Sequence, residues 1–347
     1  MNYPTGVHPI ARKVLDRDPR GVARACRFVD DRLDGYVDLM KDLFPHTGKA
    51  WIVGVTGNPG AGKSTLTDRL VELWRKEGRR VGVVAVDPTS PFSGGAILGD
   101  RIRMQRHFED PDVFIRSLAT RGALGGLSRS AVDVVRVLDA WGADVVIVET
   151  VGVGQDELEI TRSAHSTLVV VAPGLGDDIQ AAKAGIMEIA DVFAVNKADR
   201  EGADATVRDL ELMIALGRKI LEPPPSTKAD CHSMAAAPVR RDVAGHEADG
   251  SWTTPICRCV ATHNDGVDGV GKWLEEHRRW ASQSSAGMKR HGQRVRDQFE
   301  TEMRDALVEA ALRALRPQID AAVADVSARK ADPYSACEAL VEAFRRS

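Results

Sequence analysis

Gly57-Asn58-Pro59-Gly60-Ala61-Gly62-Lys63-Ser64 fits the pattern G-x-x-x-x-G-K-[ST], and it stands between an apolar run, Trp51 to Val55, and a helical pattern that begins near Ser64. A phosphate-binding loop requires that placement. A strand delivers the chain, glycines let several backbone N–H groups converge on phosphate oxygens, and the N-terminus of a helix faces the anion. Lys63 supplies a point charge for the β- and γ-oxygens, and the Ser64 hydroxyl is a hard oxygen ligand for Mg2+. The spacing predicts a nucleoside triphosphate held by Gly57 to Ser64, with Thr65 in the first helical turn.

Outward from this loop the chain alternates short β-branched runs with helical segments: WIVGV, VGVVAV, VFIRS, DVVIVE, TLVVVA, VFAVN and PICRCV. Near-continuous apolar strands separated by helices indicate a mostly parallel sheet covered on both faces. The predicted fold class is α/β, a P-loop NTPase with helical N- and C-terminal extensions. We expect an extension over residues 1–48, a nucleotide domain over 49–281 and a C-terminal helical arm over 282–347. Residues 9 to 44 carry apolar positions at helical spacing (Val14, Leu15, Val22, Ala25, Cys26, Val29, Leu33, Val37, Met40), broken by Asp18-Pro19, and read as two helices. The stretch Glu222 to Gly250, with Pro223-Pro224-Pro225, reads as an irregular insertion and a mobile loop.

Asn196-Lys197-Ala198-Asp199 follows the apolar run Val192 to Val195, so it lies at the carboxyl end of a strand. A carboxylate at Asp199 accepts hydrogen bonds from N1–H and the exocyclic amine of guanine. Adenine has an acceptor at N1 and no 2-amino group, so the motif selects GTP over ATP. A further turn at Val260-Ala261-Thr262, after the last strand, offers a backbone N–H to guanine O6.

Three more polar segments fall at strand ends, where an α/β sheet places its chemistry. Asp87-Pro88-Thr89-Ser90 runs on to Asp100-Arg101, and Asp87 and Asp100 are candidate Mg2+ contacts, direct or through water. Each is alternatively a turn-starting Asp. Glu149-Thr150-Val151-Gly152 has the acidic-x-x-Gly form of a turn that senses a γ-phosphate, with Glu149 reaching Mg2+ through water and the Gly152 N–H facing the phosphate. Val153 occupies the slot in which Ras-like proteins carry a water-positioning Gln, so intrinsic hydrolysis is expected to be slow. Ala172-Pro173-Gly174-Leu175-Gly176-Asp177-Asp178, leading to Lys183, reads as a movable strand-to-helix connection with an acidic N-cap.

Bulk properties exclude several classes. The net charge is −3 with acidic and basic residues interspersed, which implies no extended basic surface for nucleic acid. No apolar stretch is long enough to span a membrane, and MNYPTGVHPIARKVLDRD lacks a signal-peptide core, so a soluble cytoplasmic protein is expected. Five cysteines in 347 residues make no disulfide framework. Cys257 and Cys259 share a strand face, but their spacing is not that of a usual zinc module, and they read as small buried thiols. From Met288 onward the segment is helical, with a stripe of Val295, Phe299, Met303, Leu307, Ala311 and Leu312 that no isolated helix can bury. The arm either caps its own core or pairs with a second copy, and its length favours a homodimer.

GVTGNPGAGKSTL, VAVDPTSPFSGGAILGDRIRM, IRSLATRGALGGLS, VIVETVGVGQDE, APGLGDDIQAAKAGIMEIAD and VNKADREGA together resemble the MeaB/ArgK family, the G-protein chaperone of methylmalonyl-CoA mutase. The likeness covers most of residues 50 to 210, and PICRCVATHNDGVDGV is similar to the family's last guanine motif with Val260 where Ser is usual. The resemblance implies a GTPase of the metal-insertion and signal-recognition class. Such a protein binds an adenosylcobalamin-dependent acyl-CoA mutase, couples GTP binding and hydrolysis to cofactor loading, and protects the mutase. It also implies that Lys63 and Ser64 hold phosphate and Mg2+, that Asp87, Asp100 and Glu149 serve the metal site, and that Asn196, Lys197 and Asp199 read guanine. Homodimers with helical additions are typical of that family. Hydrolysis by in-line attack of water would draw on Lys63, Glu149 and Asp100. Two alternatives remain open at this point, a P-loop kinase acting on a transport protein or small molecule, and a GTPase delivering metal to another enzyme.

Overall fold

The structure is a computed structural model that describes residues 6–87, 104–119, 129–150, 164–174, 189–221 and 251–346. All seven strands expected from the apolar runs are present: β1 Trp51–Thr56, β2 Val81–Asp87, β3 Val113–Ala119, β4 Val145–Thr150, β5 Ser166–Val171, β6 Val192–Val195 and β7 Ile256–Arg258. They form one sheet in the order β3-β2-β4-β1-β5-β6-β7, and every neighbouring pair is parallel.

Side-chain alternation along each strand assigns its two faces. Val81, Val83, Val145 and Ile147 join Trp51, Val53 and Val55 beneath α4 (Lys63–Lys76) and α7 (Val267–Gln283). Val84, Val86, Val146 and Val148 point the other way, into a cluster with α1 (Pro9–Leu15), α2 (Pro19–Asp30), α3 (Tyr36–Leu43) and α5 (Arg129–Trp141). Across β5 and β6, Val169, Val171, Phe193 and Val195 pack with Leu210 of α6 (Ala203–Leu221). Helices therefore cover both faces, which is why the strands read as nearly continuous apolar runs.

The N-terminal segment forms three helices where the apolar spacing predicts two. Asp18 caps α2 by accepting from Arg20 N, with Pro19 at the first helical position. α2 then stops in a Schellman arrangement, with Arg32 left-handed (φ 47°) and the Leu33 and Arg32 N–H groups bonded to Phe28 O and Val29 O. The turn redirects the chain, so Leu33 and Val37, at helical spacing with the buried α2 positions, lie exposed.

α8 (Ser285–Ala314), α9 (Arg316–Ser327) and α10 (Pro333–Arg346) follow. Contacts divide the chain into two compact units, Met1–Arg290 and His291–Ser347, so α1 to α3 belong to the same unit as the sheet. In the second unit Val295, Phe299, Met303, Leu307 and Leu312 of α8 are exposed.

Candidate nucleotide site

β1 lies between β4 and β5, and the chain leaves β1 toward β2 on one side of the sheet but leaves its neighbour β5 toward β6 on the other. The loop after β1 therefore sits at the carboxyl-end crevice where ligands of open α/β sheets bind. Two of its glycines are required by the backbone. Gly57 has φ 131°, and a Cβ there would fall 1.9 Å from Val170 O, so only glycine lets the loop pass β5. Gly62, with φ 92°, stands at the N-cap of α4, and a Cβ there would meet Asn196 Nδ2 at 2.3 Å. Gly62 brings no capping side chain, so the first-turn N–H groups of α4 remain suited to an anion.

Lys63 begins α4 and is buried. Its ammonium donates to Gly57 O at 2.7 Å and Asn58 O at 3.2 Å, so the charge is held inside the loop that encloses it. The Ser64 hydroxyl donates to Glu149 Oε1 at 2.6 Å, and both residues are buried. Parallel pairing brings this about, since Glu149 lies beside Val55 of β1 on one side and Ala85 of β2 on the other. Thr150 Oγ1 donates to Thr56 Oγ1 at 3.1 Å, tying the ends of β4 and β1 together beneath the loop. A buried hydroxyl and carboxylate in contact are a set of hard oxygens, and they fit Mg2+. Asp87 ends β2, but its side chain lies outside the description, as do the whole of Asp100 and Gly152.

On the base side, Asn196 directly follows β6 and is buried. Its Nδ2 donates to Ala61 O at 2.8 Å, while its Oδ1 accepts from Ala261 N at 3.0 Å. One amide thus joins the phosphate loop to the 3-10 turn Ala261–His263. The Ala261 N–H, aimed at guanine O6 by the sequence reading, is given to Asn196 in this structure. Lys197 adopts φ 57°, unusual for a residue with a Cβ, and its ammonium donates to Gly60 O at 2.6 Å. Ala198 N donates to Cys259 O at 3.1 Å, and Asp199 is left exposed. Asn196 and Lys197 accordingly grip the phosphate loop, and Asp199 presents its carboxylate outward.

Residues without a motif signature complete the frame. Arg69 of α4 donates to Ala261 O at 3.0 Å, to Thr262 O at 3.3 Å and to Glu72 Oε2 at 3.0 Å. Glu72 is drawn down to a pKa of about 2, first by the hydrogen bond from Lys76, then against desolvation by Arg69 and Arg106. Asp68 pairs with Arg106 and with His107 Nε2 at 3.0 Å. Burial alone would raise the Asp68 pKa, but the hydrogen bonds from His107 and Arg106 hold it below the usual carboxylate value. Asp139 of α5 accepts from the backbone N–H groups of Gly48, Lys49 and Ala50, fixing the entry to β1.

Cys257 and Cys259 are buried, and desolvation pushes both thiols up to about 12, with Cys259 and Asp265 respectively adding to the rise. Among the described residues no group of three or more His, Cys, Asp or Glu side chains is arranged to hold a metal ion, and no helix there is long and apolar enough to cross a membrane.

The model of a family described as Methylmalonyl Co-A mutase-associated GTPase MeaB matches residues 22–316. A GTPase-designated protein of Pyrococcus abyssi is 43% identical over 97% of this chain and 96% of its own length. GTPase ArgK of Escherichia coli is 41% identical over 54% of this chain and 58% of its own. A crystal structure described as an LAO/AO transport system kinase superposes with a TM-score of 0.63 at 22% identity, covering 99% of both chains, a likeness of fold.

Proposed function

The chain belongs to the MeaB family of methylmalonyl Co-A mutase-associated GTPases, and from that premise we propose that it is a GTP-hydrolysing chaperone of an adenosylcobalamin-dependent acyl-CoA mutase. The observation that carries the reading is the junction of three loops. Asn196 and Lys197 of the guanine motif hydrogen-bond directly to Ala61 O and Gly60 O of the phosphate loop, so base and phosphate recognition share one frame. Asp199, exposed on the same turn, reads guanine N1–H and its 2-amino group.

Ser64 would hold Mg2+ directly and Glu149 through water, with Asp87 and Asp100 completing the metal side. The ion would neutralise charge on the β- and γ-oxygens. Lys63 leaves the carbonyls of Gly57 and Asn58 for the phosphate oxygens, and there stabilises the charge that develops as water attacks in line. The Gly57 to Gly62 backbone supplies N–H donors to the same oxygens, the Gly152 N–H would meet the γ-phosphate, and Val153 stands in the slot where a Gln would orient the water. Intrinsic turnover is therefore slow and is raised by the client mutase.

Because GTP and GDP differ by one phosphate, segments that touch it take two arrangements, and the mutase reads the difference as a change in affinity. The work is done in the cytoplasm, on protein partners, without nucleic acid or membrane. The exposed apolar face of α8 supports a homodimer through the 282–347 arm. Light scattering on the intact protein checks this, since twice the mass of 37.6 kDa is expected.

The nucleotide reading is tested by competition against a fluorescent GDP analogue with Mg2+ present. GTP and GDP should displace it at micromolar concentrations while ATP does not, and Asp199→Ala should lose that discrimination. Equal competition by ATP would return the kinase alternative.

A further inference from the structure

The turn Ala261–His263 is gripped at both ends of one residue. The Ala261 N–H goes to Asn196 Oδ1 at 3.0 Å, and the Ala261 carbonyl receives Arg69 Nε at 3.0 Å. The neighbouring Thr262 carbonyl receives Arg69 Nη2 at 3.3 Å. Asn196 belongs to the guanine motif, whereas Arg69 lies on α4, six residues after Lys63 and outside every motif the chain carries. We propose that Arg69 is a positioning residue for nucleotide retention, clamping the guanine-side turn to the helix that begins at the phosphate loop. The inference rests on the guanine-nucleotide reading of the site.

Arg69 is suited to this by shape and by its surroundings. A guanidinium presents donors in a fixed planar fork, so Nε and Nη2 serve two successive carbonyls while Nη1 faces Glu72 Oε2 at 3.0 Å. Glu72 is itself held by Lys76 at 2.9 Å and Arg106 at 3.0 Å, so the carboxylate that orients the fork is fixed. The Arg69 side chain is three-quarters buried, which limits competition from water. Ser64 and Arg69 project from the same stretch of one α-helix, so the clamp sets the base-side turn at a constant distance from the Mg2+ and phosphate ligands.

Losing the clamp leaves the Ala261 carbonyl with only the turn's own Asn264 N–H, at 3.3 Å, so the turn is tied to the rest of the site through the Ala261 N–H and gains freedom from α4, while Lys63, Ser64 and Glu149 keep their own partners. The expected effect falls on release of nucleotide and spares the phosphate chemistry. Two net hydrogen bonds to a partly buried site correspond to about tenfold in an equilibrium or rate.

The experiment is stopped-flow release of a fluorescent GDP analogue, with Mg2+ present, from the full-length protein and from Arg69→Met and Arg69→Lys. Single-turnover GTP hydrolysis under saturating enzyme and thermal melting without nucleotide accompany it. Arg69→Met should release GDP about tenfold faster, with single-turnover hydrolysis within about twofold of the parent. Arg69→Lys, which keeps the charge for Glu72 but has no fork, should fall between them. Parental release rates in both variants, whatever their melting temperatures, would overturn the assignment, as would a single-turnover rate that falls in step with affinity. Should Arg69→Met not fold, Arg69→Lys alone decides by the same rates. Failure of the parent to bind the GDP analogue would instead overturn the guanine-nucleotide reading of the site.

Discussion

Replacing Asn196 by Ala separates holding the site from reading the base. The substitution strips Ala61 O and the Ala261 N–H of their shared partner, and both residues are almost fully buried. A buried polar group left unpaired costs about 1–3 kcal/mol, so two cost about 2–6 kcal/mol, and partial relaxation places the loss near 3 kcal/mol. Domains of ordinary stability have about 5–15 kcal/mol in hand, so Asn196→Ala folds but is visibly weakened. Urea unfolding without nucleotide is the assay. At a slope of about 2 kcal/mol per molar the midpoint falls by about 1.5 M. Asp199→Ala is the matched partner, because Asp199 is exposed; its midpoint should stay within about 0.3 M of the parent while guanine preference is lost. An Asn196→Ala protein with the parental midpoint would refute the argument, because it would mean that the amide does not join the two loops.

Glycine substitutions in the phosphate loop should divide sharply. Gly57→Ala drives a methyl into Val170 O and should abolish nucleotide binding with loss of stability, whereas a Cβ at Gly60 meets nothing within 4 Å, so Gly60→Ala costs about 1–2 kcal/mol for its φ of 77°, read by urea midpoints. Asp191 begins the acid limb of stability. Desolvation opposes its ionisation, but His277 and Arg290 draw its pKa down to about 2. A folded pKa below the unfolded value near 3.8 gives stability that is present above about pH 4 and lost as pH falls toward 2. The loss amounts to about 2 kcal/mol, and Asp191→Asn should flatten the midpoint against pH across that window. Cys26, Cys257 and Cys259, their thiols raised to about 12 chiefly by burial, should resist alkylation at pH 8 in the native protein and react on unfolding, whereas the exposed Cys337 is open to reagent, as mass spectrometry of labelled peptides would show.

The five inner strands β1, β2, β4, β5 and β6 were legible because their side chains are buried on both faces, and a parallel strand so placed writes itself as a short β-branched run. The phosphate loop was legible for a related reason, since its glycines answer to local geometry at Gly57 and Gly62. The division between α2 and α3 was not, because α2 ends on a left-handed Arg32, a residue type that gives no warning of the turn. The Asp34-Gly35 pair just beyond it was the available signal. The working contacts of Asn196 lie 135 and 65 residues away in sequence, at Ala61 and Ala261. No local pattern encodes such a distance, and for the same reason Arg69, whose carbonyl partners lie beyond residue 260, reads from the sequence as one more surface arginine on an amphipathic helix.

The chaperone reading turns on GTP hydrolysis by the purified protein, alone and with candidate adenosylcobalamin-dependent acyl-CoA mutases, using ATP as control and Lys63→Ala as blank. Slow GTP turnover that one mutase accelerates is expected, with no comparable turnover of ATP and none above background in the Lys63→Ala protein. Preference for ATP, or GTP turnover that no such mutase changes, would contradict that reading.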